Sequence, residues 1–403
     1  KEMHQAYGDL PWRFSYDTPE GNVYLATDSV HGVAYAGGNT TGIIYRCNIS
    51  TNCDAAGDWT TSIDLTTVVD SLFIDTRHNV LYAGTGTTTL YRCDLSTDCD
   101  TSGDWTSMVA FSANFAYSFA ADYTHDVLYA GGGTGIIYRC DLSTACDAAG
   151  DWAVSYDSPA SYVYSLGIDT AHNILYAGTS ASGILYRCDL STACDAAGDW
   201  TTSYDSARAN IYSLAFDPRG GLIYAGTGSG GAGDMIYCDI STGCDAQGDW
   251  TALDLGGRDI YALIVDGTRE VAYAGTNNRG VLRCDLSTRC DALNDWAVTF
   301  SALNPPAGTY ADSYQSLAID TTNNILYAGG GTYGYIYRCD LAAGCGISDW
   351  ATAYDFPAIT TTGDMVLDAA HNVLYTGIDG GIVYRCDIAS GCDSSGSWAV
   401  SYD

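Results

Sequence analysis

One unit of roughly 47 to 54 residues recurs from end to end of this chain, and repetition on that scale constrains the fold before any single residue does. Its best-preserved form spans residues 164–205: YSLGID, a TAHN turn, ILYAGT, a short loop, GILYRCDLSTACDAAGDW and TTSYD. The first three strand-like pieces occur eight times. The fourth, opened by tryptophan, occurs nine times, at Trp12, Trp59, Trp105, Trp152, Trp200, Trp250, Trp296, Trp350 and Trp398. A unit this small cannot cover its own apolar face, so stacking or ring closure must bury it.

Within each unit, strand a is apolar and closes on aspartate, as in VYLATD (23–28) and YSLGID (164–169). A four-residue turn leads to strand b, typified by ILYAGT, and a Gly-containing loop leads to strand c, such as GIIYRC. The Trp-opened piece is strand d. β-Branched and aromatic residues between strong turn signals argue for strands, and no stretch carries helical periodicity. The pattern predicts an all-β fold, an eight-bladed β-propeller of four-stranded antiparallel blades with one disulfide per blade. Residues 1–17 form a leader and surplus strand. The blades then span about 18–64, 65–111, 112–157, 158–205, 206–255, 256–301, 302–355 and 356–403. The repeated Trp is expected to fill the gap between neighbouring blades. The strand-b tyrosines Tyr82, Tyr129, Tyr176, Tyr224, Tyr273, Tyr327 and Tyr375 are likewise read as packing between blades.

All sixteen cysteines fall into eight C-x₅-C pairs with none left over: Cys47 and Cys53, Cys93 and Cys99, Cys140 and Cys146, Cys188 and Cys194, Cys238 and Cys244, Cys284 and Cys290, Cys339 and Cys345, Cys386 and Cys392. A zinc site needs about four ligands, and no second Cys or His pair sits beside any of these. Each pair is therefore read as a local disulfide. Such bonds persist in oxidising surroundings, so a secreted or surface-displayed protein is expected. There is no signal peptide and no apolar run of membrane-spanning length, and a mature, processed N-terminus is the expectation. Asn39-Thr40-Thr41 and Asn48-Ile49-Ser50 match the N-glycosylation pattern.

The net charge of −32 is made almost wholly of aspartate, with three Glu and one Lys in the chain. Asp caps nearby backbone N–H groups, so much of this acidity is turn chemistry. Its sum repels nucleic acid and anionic membranes and attracts divalent cations, Ca²⁺ above all. The strand-a aspartate is present in every unit, as Asp28, Asp75, Asp122, Asp169, Asp217, Asp266, Asp320 and Asp368. It reads either as a cap of the following turn or as a Ca²⁺ site near the axial opening. The hairpin trio exemplified by Asp141, Asp147 and Asp151 is a second Ca²⁺ candidate; no other cofactor is implied. His31, His78, His125, His172 and His371 repeat with the blade instead of converging, as a catalytic base or ligand set should. They read as turn residues. The arginine of the YRC strand, at positions such as Arg139 and Arg338, is expected to pair with hairpin aspartates.

YAGT, a following G-(I/V)-Y-R strand and a Ser/Thr–Asp–Gly–Trp hairpin resemble the Asp-box (BNR-repeat) β-propellers, a group that includes sialidases, sortilin-type receptors and some glucanases. The resemblance covers essentially the whole chain at blade level. The hairpin here is longer, as in Ser143 to Trp152, and holds a Cys pair that the family's Ser-x-Asp-x-Gly-x-x-Trp lacks. What the resemblance implies is architecture, because the Asp box is a structural hairpin. A glycoside hydrolase would need a convergent carboxylate pair, and no off-pattern carboxylate sits in a catalytic motif. A non-enzymatic protein is expected, with an Asp-box hydrolase the least favoured alternative.

Nine d strands for eight blades leave one over. The C-terminal copy, Trp398 to Asp403, follows its own hairpin and can complete blade 8. The N-terminal copy, Trp12-Arg13-Phe14-Ser15-Tyr16-Asp17, is then spare. A free strand adds to exposed sheet edges, and head-to-tail addition makes an open filament. The expectation is a self-assembling extracellular filament or surface-layer subunit, a homopolymer linked by strand exchange. The alternative is a monomeric secreted propeller that binds a glycan or surface partner through a blade-specific cluster. The insertion Ala302 to Tyr314 of blade 7 is the first place to look for such a cluster, and blade 5 departs too, with a Gly-rich loop at 227–233.

Overall fold

The structure is a computed structural model. It describes residues 23–402, apart from 39, 52, 110–115, 208–209, 218, 220, 230–232, 278–279, 301–313, 331–333, 357–361, 379 and 394–396. Eight four-stranded antiparallel sheets follow one another along the chain, each in the order a-b-c-d. This is the eight-bladed propeller that the repeat predicts. In blade 4 the strands are Val163–Asp169, Ile174–Thr179, Ile184–Asp189 and Trp200–Asp205. The blades gather into two compact units, one of blades 3 to 6 and one of blades 7, 8, 1 and 2.

The a strands of successive blades lie against one another through blades 3 to 6 and through blades 8, 1 and 2. Strand b is sandwiched on both faces: all six residues of Ile174–Thr179 are buried. That explains its continuous apolar reading, since a strand covered on both sides need not alternate. The d strand does alternate; in Trp200–Asp205 the second and third residues are exposed while Trp200 and Ser203 are buried. The glycine of the YAG motif is a requirement of this packing. A Cβ on Gly178 would lie 2.4 Å from Ser165 Oγ and 2.7 Å from Ile211 of the next blade.

The eight expected disulfides are all formed. Cys47 is bonded to Cys53, Cys93 to Cys99, Cys140 to Cys146 and Cys188 to Cys194. Cys238 is bonded to Cys244, Cys284 to Cys290, Cys339 to Cys345 and Cys386 to Cys392. Their Cα separations are 5.5–5.9 Å, and no cysteine is free. Each bond spans a single 3-10 turn, such as Leu142–Thr144. One feature differs from a plain reading of the spacing. The second cysteine of every pair (Cys53, Cys99, Cys146, Cys194, Cys244, Cys290, Cys345 and Cys392) sits at positive φ, between 42° and 54°. That region disfavours a residue with a Cβ, so the covalent clip holds a turn that the sequence alone would leave readily. These eight sulfur-bearing side chains are fully buried, which makes them structural clips and removes them from any candidate site. On the loop-entropy model each clip stabilises by roughly 2 to 2.5 kcal/mol.

Blade 8 is built from Thr362–Asp368, Val373–Ile378, Val383–Asp387 and Trp398–Tyr402. Its last strand pairs in register with the third, Trp398 opposite Cys386 and Val400 opposite Tyr384. The C-terminal copy is thus strand d of blade 8, as expected. The N-terminal copy Trp12–Asp17, the glycosylation candidate Asn39 and residues 302–313 of the blade 7 insertion lie outside the described residues. No helix among the described residues is long and apolar enough to cross a membrane.

Candidate functional site

Both expectations for the aspartates can be set against their geometry. Asp28 Oδ1 accepts the N–H groups of Val30 (3.0 Å) and His31 (3.2 Å), and its Oδ2 lies 2.5 Å from His31 Nδ1. Asp75, Asp122, Asp169 and Asp368 repeat this arrangement with His78, His125, His172 and His371. In blade 6 Arg269 takes the histidine's place on Asp266, at 2.6 Å, and in blade 7 Asn323 does so on Asp320, at 2.7 Å. Asp217 caps Arg219 N–H at 3.0 Å. These carboxylates therefore act as turn caps, each engaged by its own turn, and the histidines are their partners. In the hairpin, Asp141 Oδ1 accepts the hydroxyl and N–H of Ser143, which hold its carboxyl below the usual carboxylate range. Asp151 Oδ2 accepts the N–H groups of Asp147 and Ala148. The described residues bring together no group of three or more metal-ligating side chains. Asn48 is exposed and caps its turn through Ser50 as the aspartates do elsewhere.

The YRC arginines take a different partner from the one expected. Strand register sets Arg46, Arg139, Arg187, Arg283 and Arg385 opposite the strand-b tyrosines Tyr35, Tyr129, Tyr176, Tyr273 and Tyr375. Among the described residues only Arg338 of this set comes within ion-pair distance of a hairpin carboxylate, Asp393 at 3.9 Å. Burial dominates at the tyrosines and pushes the Tyr129 and Tyr375 phenols up to about 12, with the nearby arginine pulling the other way.

The repeated Trp does fill the junction between blades. Trp250 meets Tyr176 of the preceding blade edge-on at 6.5 Å, and Trp296 meets Tyr224 at 6.0 Å. A hydrogen-bond relay accompanies this packing. Trp250 Nε1 donates to Ser203 Oγ at 2.9 Å, and Ser203 Oγ donates to the Cys244 carbonyl at 2.6 Å. Ser203 lies three residues after the Trp of its own blade and so ties blade 4 to both the ring and the disulfide hairpin of blade 5. Ser62 makes the same two bonds to Trp105 and the Cys99 carbonyl, and Ser155 makes them to Trp200 and the Cys194 carbonyl. Ser401 makes them across the closing junction, accepting from Trp59 Nε1 at 2.8 Å and donating to the Cys53 carbonyl. Blade 8 is thereby fastened to blade 1 through strand d. Where the serine is replaced, the relay breaks. Leu253 leaves Trp296 Nε1 to its own hairpin, the Cys290 carbonyl at 3.2 Å. Ala353 leaves the buried Trp398 Nε1 with no partner.

A second feature was missed in the sequence. Five residues before the strand-a aspartate stand Tyr117, Tyr164, Tyr212 and Tyr261 in blades 3 to 6, against Val23, Asp70, Gln315 and Gly363 in the other four. Each of these tyrosines occupies a β-bulge, skipped by the a–b ladder, a device that re-aims a side chain. With Tyr162 they form one connected arc. Tyr117 meets Tyr162 edge-on at 5.3 Å, Tyr162 stacks on Tyr164 at 5.8 Å, Tyr164 stacks on Tyr212 at 6.1 Å, and Tyr212 meets Tyr261 at 5.2 Å. Asn210 Nδ2 donates to the Tyr212 hydroxyl at 2.8 Å, and the Tyr261 hydroxyl points to Asp259 Oδ2 at 3.4 Å. Asp259, 1% exposed, is fixed by Ser229 N–H and by Asn277, which bonds both its carboxylate and its backbone. Asp70, which holds the equivalent bulge in blade 2, shows that the bulge belongs to the blade. The choice of tyrosine is the departure.

No family model matches the chain, and no curated protein matches it. Solved propellers do. The Dos1 propeller superposes with a TM-score of 0.64 at 12% identity, covering 93% of this chain and 94% of that one. Sqt1 from Chaetomium thermophilum, bound to the N-terminus of the ribosomal protein L10, superposes with a TM-score of 0.67 at 14% identity, covering 91% of this chain and 96% of that one. At such identities the likeness is one of fold, and the chain is an eight-bladed, disulfide-clipped β-propeller.

Proposed function

We propose that this protein is a non-enzymatic, extracellular structural subunit that assembles head to tail through the strand Trp12–Asp17. The observation that carries the reading is that residues 23–402 supply all four strands of all eight sheets. The ninth copy of strand d therefore has no sheet left to complete. It carries the same side chains that hold the C-terminal copy in place: a leading Trp, then Ser15 three residues on, where Ser401 stands in Trp398–Tyr402. Outer strands of blades present an unpaired edge, and an added strand gains main-chain hydrogen bonds there. Repeated addition between copies does not close and gives a string of propellers. The Sqt1 structure, a propeller holding the N-terminus of another chain, offers a parallel for capture of a terminal segment. The eight disulfides suit an oxidising location.

The test compares the full chain with one lacking residues 1–17, by sedimentation and negative-stain microscopy. Strings of discs from the full chain and folded monomers from the shortened one are expected. Polymers that survive the deletion, or a full chain that stays monomeric at high concentration, would refute the proposal.

A further inference from the structure

We propose that Asn48 carries an N-linked oligosaccharide. The inference rests on the export that the extracellular reading requires, and it is independent of assembly. The residue after the first cysteine of each pair is aspartate in seven blades, as in Asp94, Asp141 and Asp189, and asparagine in blade 1 alone. That exchange leaves the turn unchanged. Asn48 Oδ1 accepts the Ser50 N–H at 3.0 Å and the Ser50 hydroxyl at 2.6 Å, and the Asn48 carbonyl accepts the Thr51 hydroxyl at 2.7 Å. Asp141 takes the same three bonds from Ser143 and Thr144, at the same distances.

Folding gains nothing from the asparagine. A hydrogen bond to a charged acceptor is stronger than one to a neutral amide. The serine hydroxyl above all holds the Asp94, Asp141 and Asp189 carboxyls below the usual carboxylate range, so the turn prefers the charged cap. Blade 1 forgoes that preference and obtains one chemical group, an amide nitrogen. Among the described residues this nitrogen has no partner. Its setting decides what it serves. Asn48-Ile49-Ser50 is one of two N-glycosylation patterns in the chain, the other beginning at Asn39. The Ser50 hydroxyl donates to the amide oxygen, which makes the amide N–H more acidic. Asn48, Ser50 and Thr51 are exposed, whereas Ile49 is 5% exposed and packs in one cluster with Trp59. The Cys47–Cys53 bond closes the same turn. The acceptor is thus held at the surface, where a bulky glycan fits. The donor is an oligosaccharide on a polyprenyl diphosphate. Transfer forms the bond from Asn48 Nδ2 to the anomeric carbon and breaks that carbon's bond to the phosphate oxygen. The amide proton passes to a base of the transferase, polyprenyl diphosphate leaves, and nothing is oxidised or reduced.

The test is mass spectrometry of the full chain purified from its source, reduced and cut with trypsin. Cleavage after Arg46 gives a peptide, residues 47–77, that holds Asn48 without Asn39. This peptide is expected to carry a sugar increment, and peptide N-glycosidase in heavy-oxygen water should convert Asn48 to labelled aspartate. Two variants made in the same organism check the assignment. Asn48→Asp restores the cap of the other blades, and Ser50→Ala leaves the N–H cap that blades 7 and 8 keep at Ala342 and Ala389. Both should fold as the parent does and lose the increment entirely. An unmodified peptide from the source, or an increment that survives either substitution, overturns the inference. Filaments of unmodified subunits would end it and leave assembly standing; glycosylated monomers would uphold it and refute assembly.

Discussion

Ala353→Ser is expected to stabilise the protein by pairing a buried indole N–H at the junction of blades 7 and 8. Ala353 lies in blade 7 three residues after Trp350, the position held by Ser62, Ser155, Ser203 and Ser401 at the intact junctions. It is 1% exposed and packs in one cluster with Cys392 and Trp398 of blade 8. The indole N–H of Trp398 is buried and unpaired. A serine hydroxyl there would accept that N–H and donate to the Cys392 carbonyl, as Ser401 does between Trp59 and Cys53. A buried donor without a partner costs about 1 to 3 kcal/mol, and a neutral hydrogen bond contributes about 1. Since the added hydroxyl is satisfied on both sides, a net gain of about 1 to 2 kcal/mol is expected. The reciprocal change, Ser203→Ala, removes two bonds but leaves a fallback. Trp250 can turn to its own Cys244 carbonyl, as Trp296 already does with Cys290 at 3.2 Å. Its loss should therefore be near the low end, about 1 to 2 kcal/mol. Denaturant unfolding gives both values, and indole N–H exchange in Trp-labelled protein reports each site separately. If Ala353→Ser is neutral or destabilising and the Trp398 indole proton exchanges no more slowly, the relay is not what fastens neighbouring blades.

Three further outcomes are expected. The strand-b phenols must stay neutral in the fold: an unfolded tyrosine titrates near 10, and burial pushes Tyr129 and Tyr375 up to about 12, so their contribution is complete below about pH 10 and lost as pH rises through 12, by roughly 3 kcal/mol each. A spectrophotometric titration should show these phenols ionising together with unfolding, and free ionisation at pH 10 in the folded protein would contradict the burial. EDTA should leave the melting temperature unchanged, because the strand-a carboxylates are occupied as turn caps; a clear drop would mean that a cation is held after all. Ser401→Ala should speed amide exchange in both Trp398–Tyr402 and Trp59–Asp64, since one hydroxyl joins the two strands; an effect confined to one of them would show that the closing junction is held by something else.

What the sequence made legible follows from what repeats. The propeller and its disulfides are local consequences of a unit: a hairpin, a turn cap and a cysteine pair are all contained within some fifty residues, and eight copies leave little room for another reading. Spacing paired the cysteines correctly but said nothing of the left-handed backbone at Cys99, Cys146, Cys194 and Cys345, because φ is set by the turn that the bond closes. Of the two readings of the strand-a aspartates, the turn cap was legible because its donors lie two and three residues on. The arginines misled because their partner is set by cross-strand register, which puts Tyr129 opposite Arg139, while the hairpin aspartates are merely near in sequence. The serine relay escaped notice because its partners belong to the next blade, with Trp250 forty-seven positions beyond Ser203. The tyrosine arc was hidden by abundance. With 32 tyrosines in the chain, no single one stands out. Only a column-by-column alignment of the eight units would have shown four in a row where the remaining blades have Val23, Asp70, Gln315 and Gly363.

Hydrogen exchange across Trp398–Tyr402, measured in the chain lacking residues 1–17, tests most directly whether eight blades are complete without the N-terminal copy. The paired register of this strand with Val383–Asp387 and its tie to Trp59 predict slow exchange, unchanged by the deletion. Rapid exchange there, together with a newly accessible Trp59 indole, would mean that residues 12–17 are what closes blade 8.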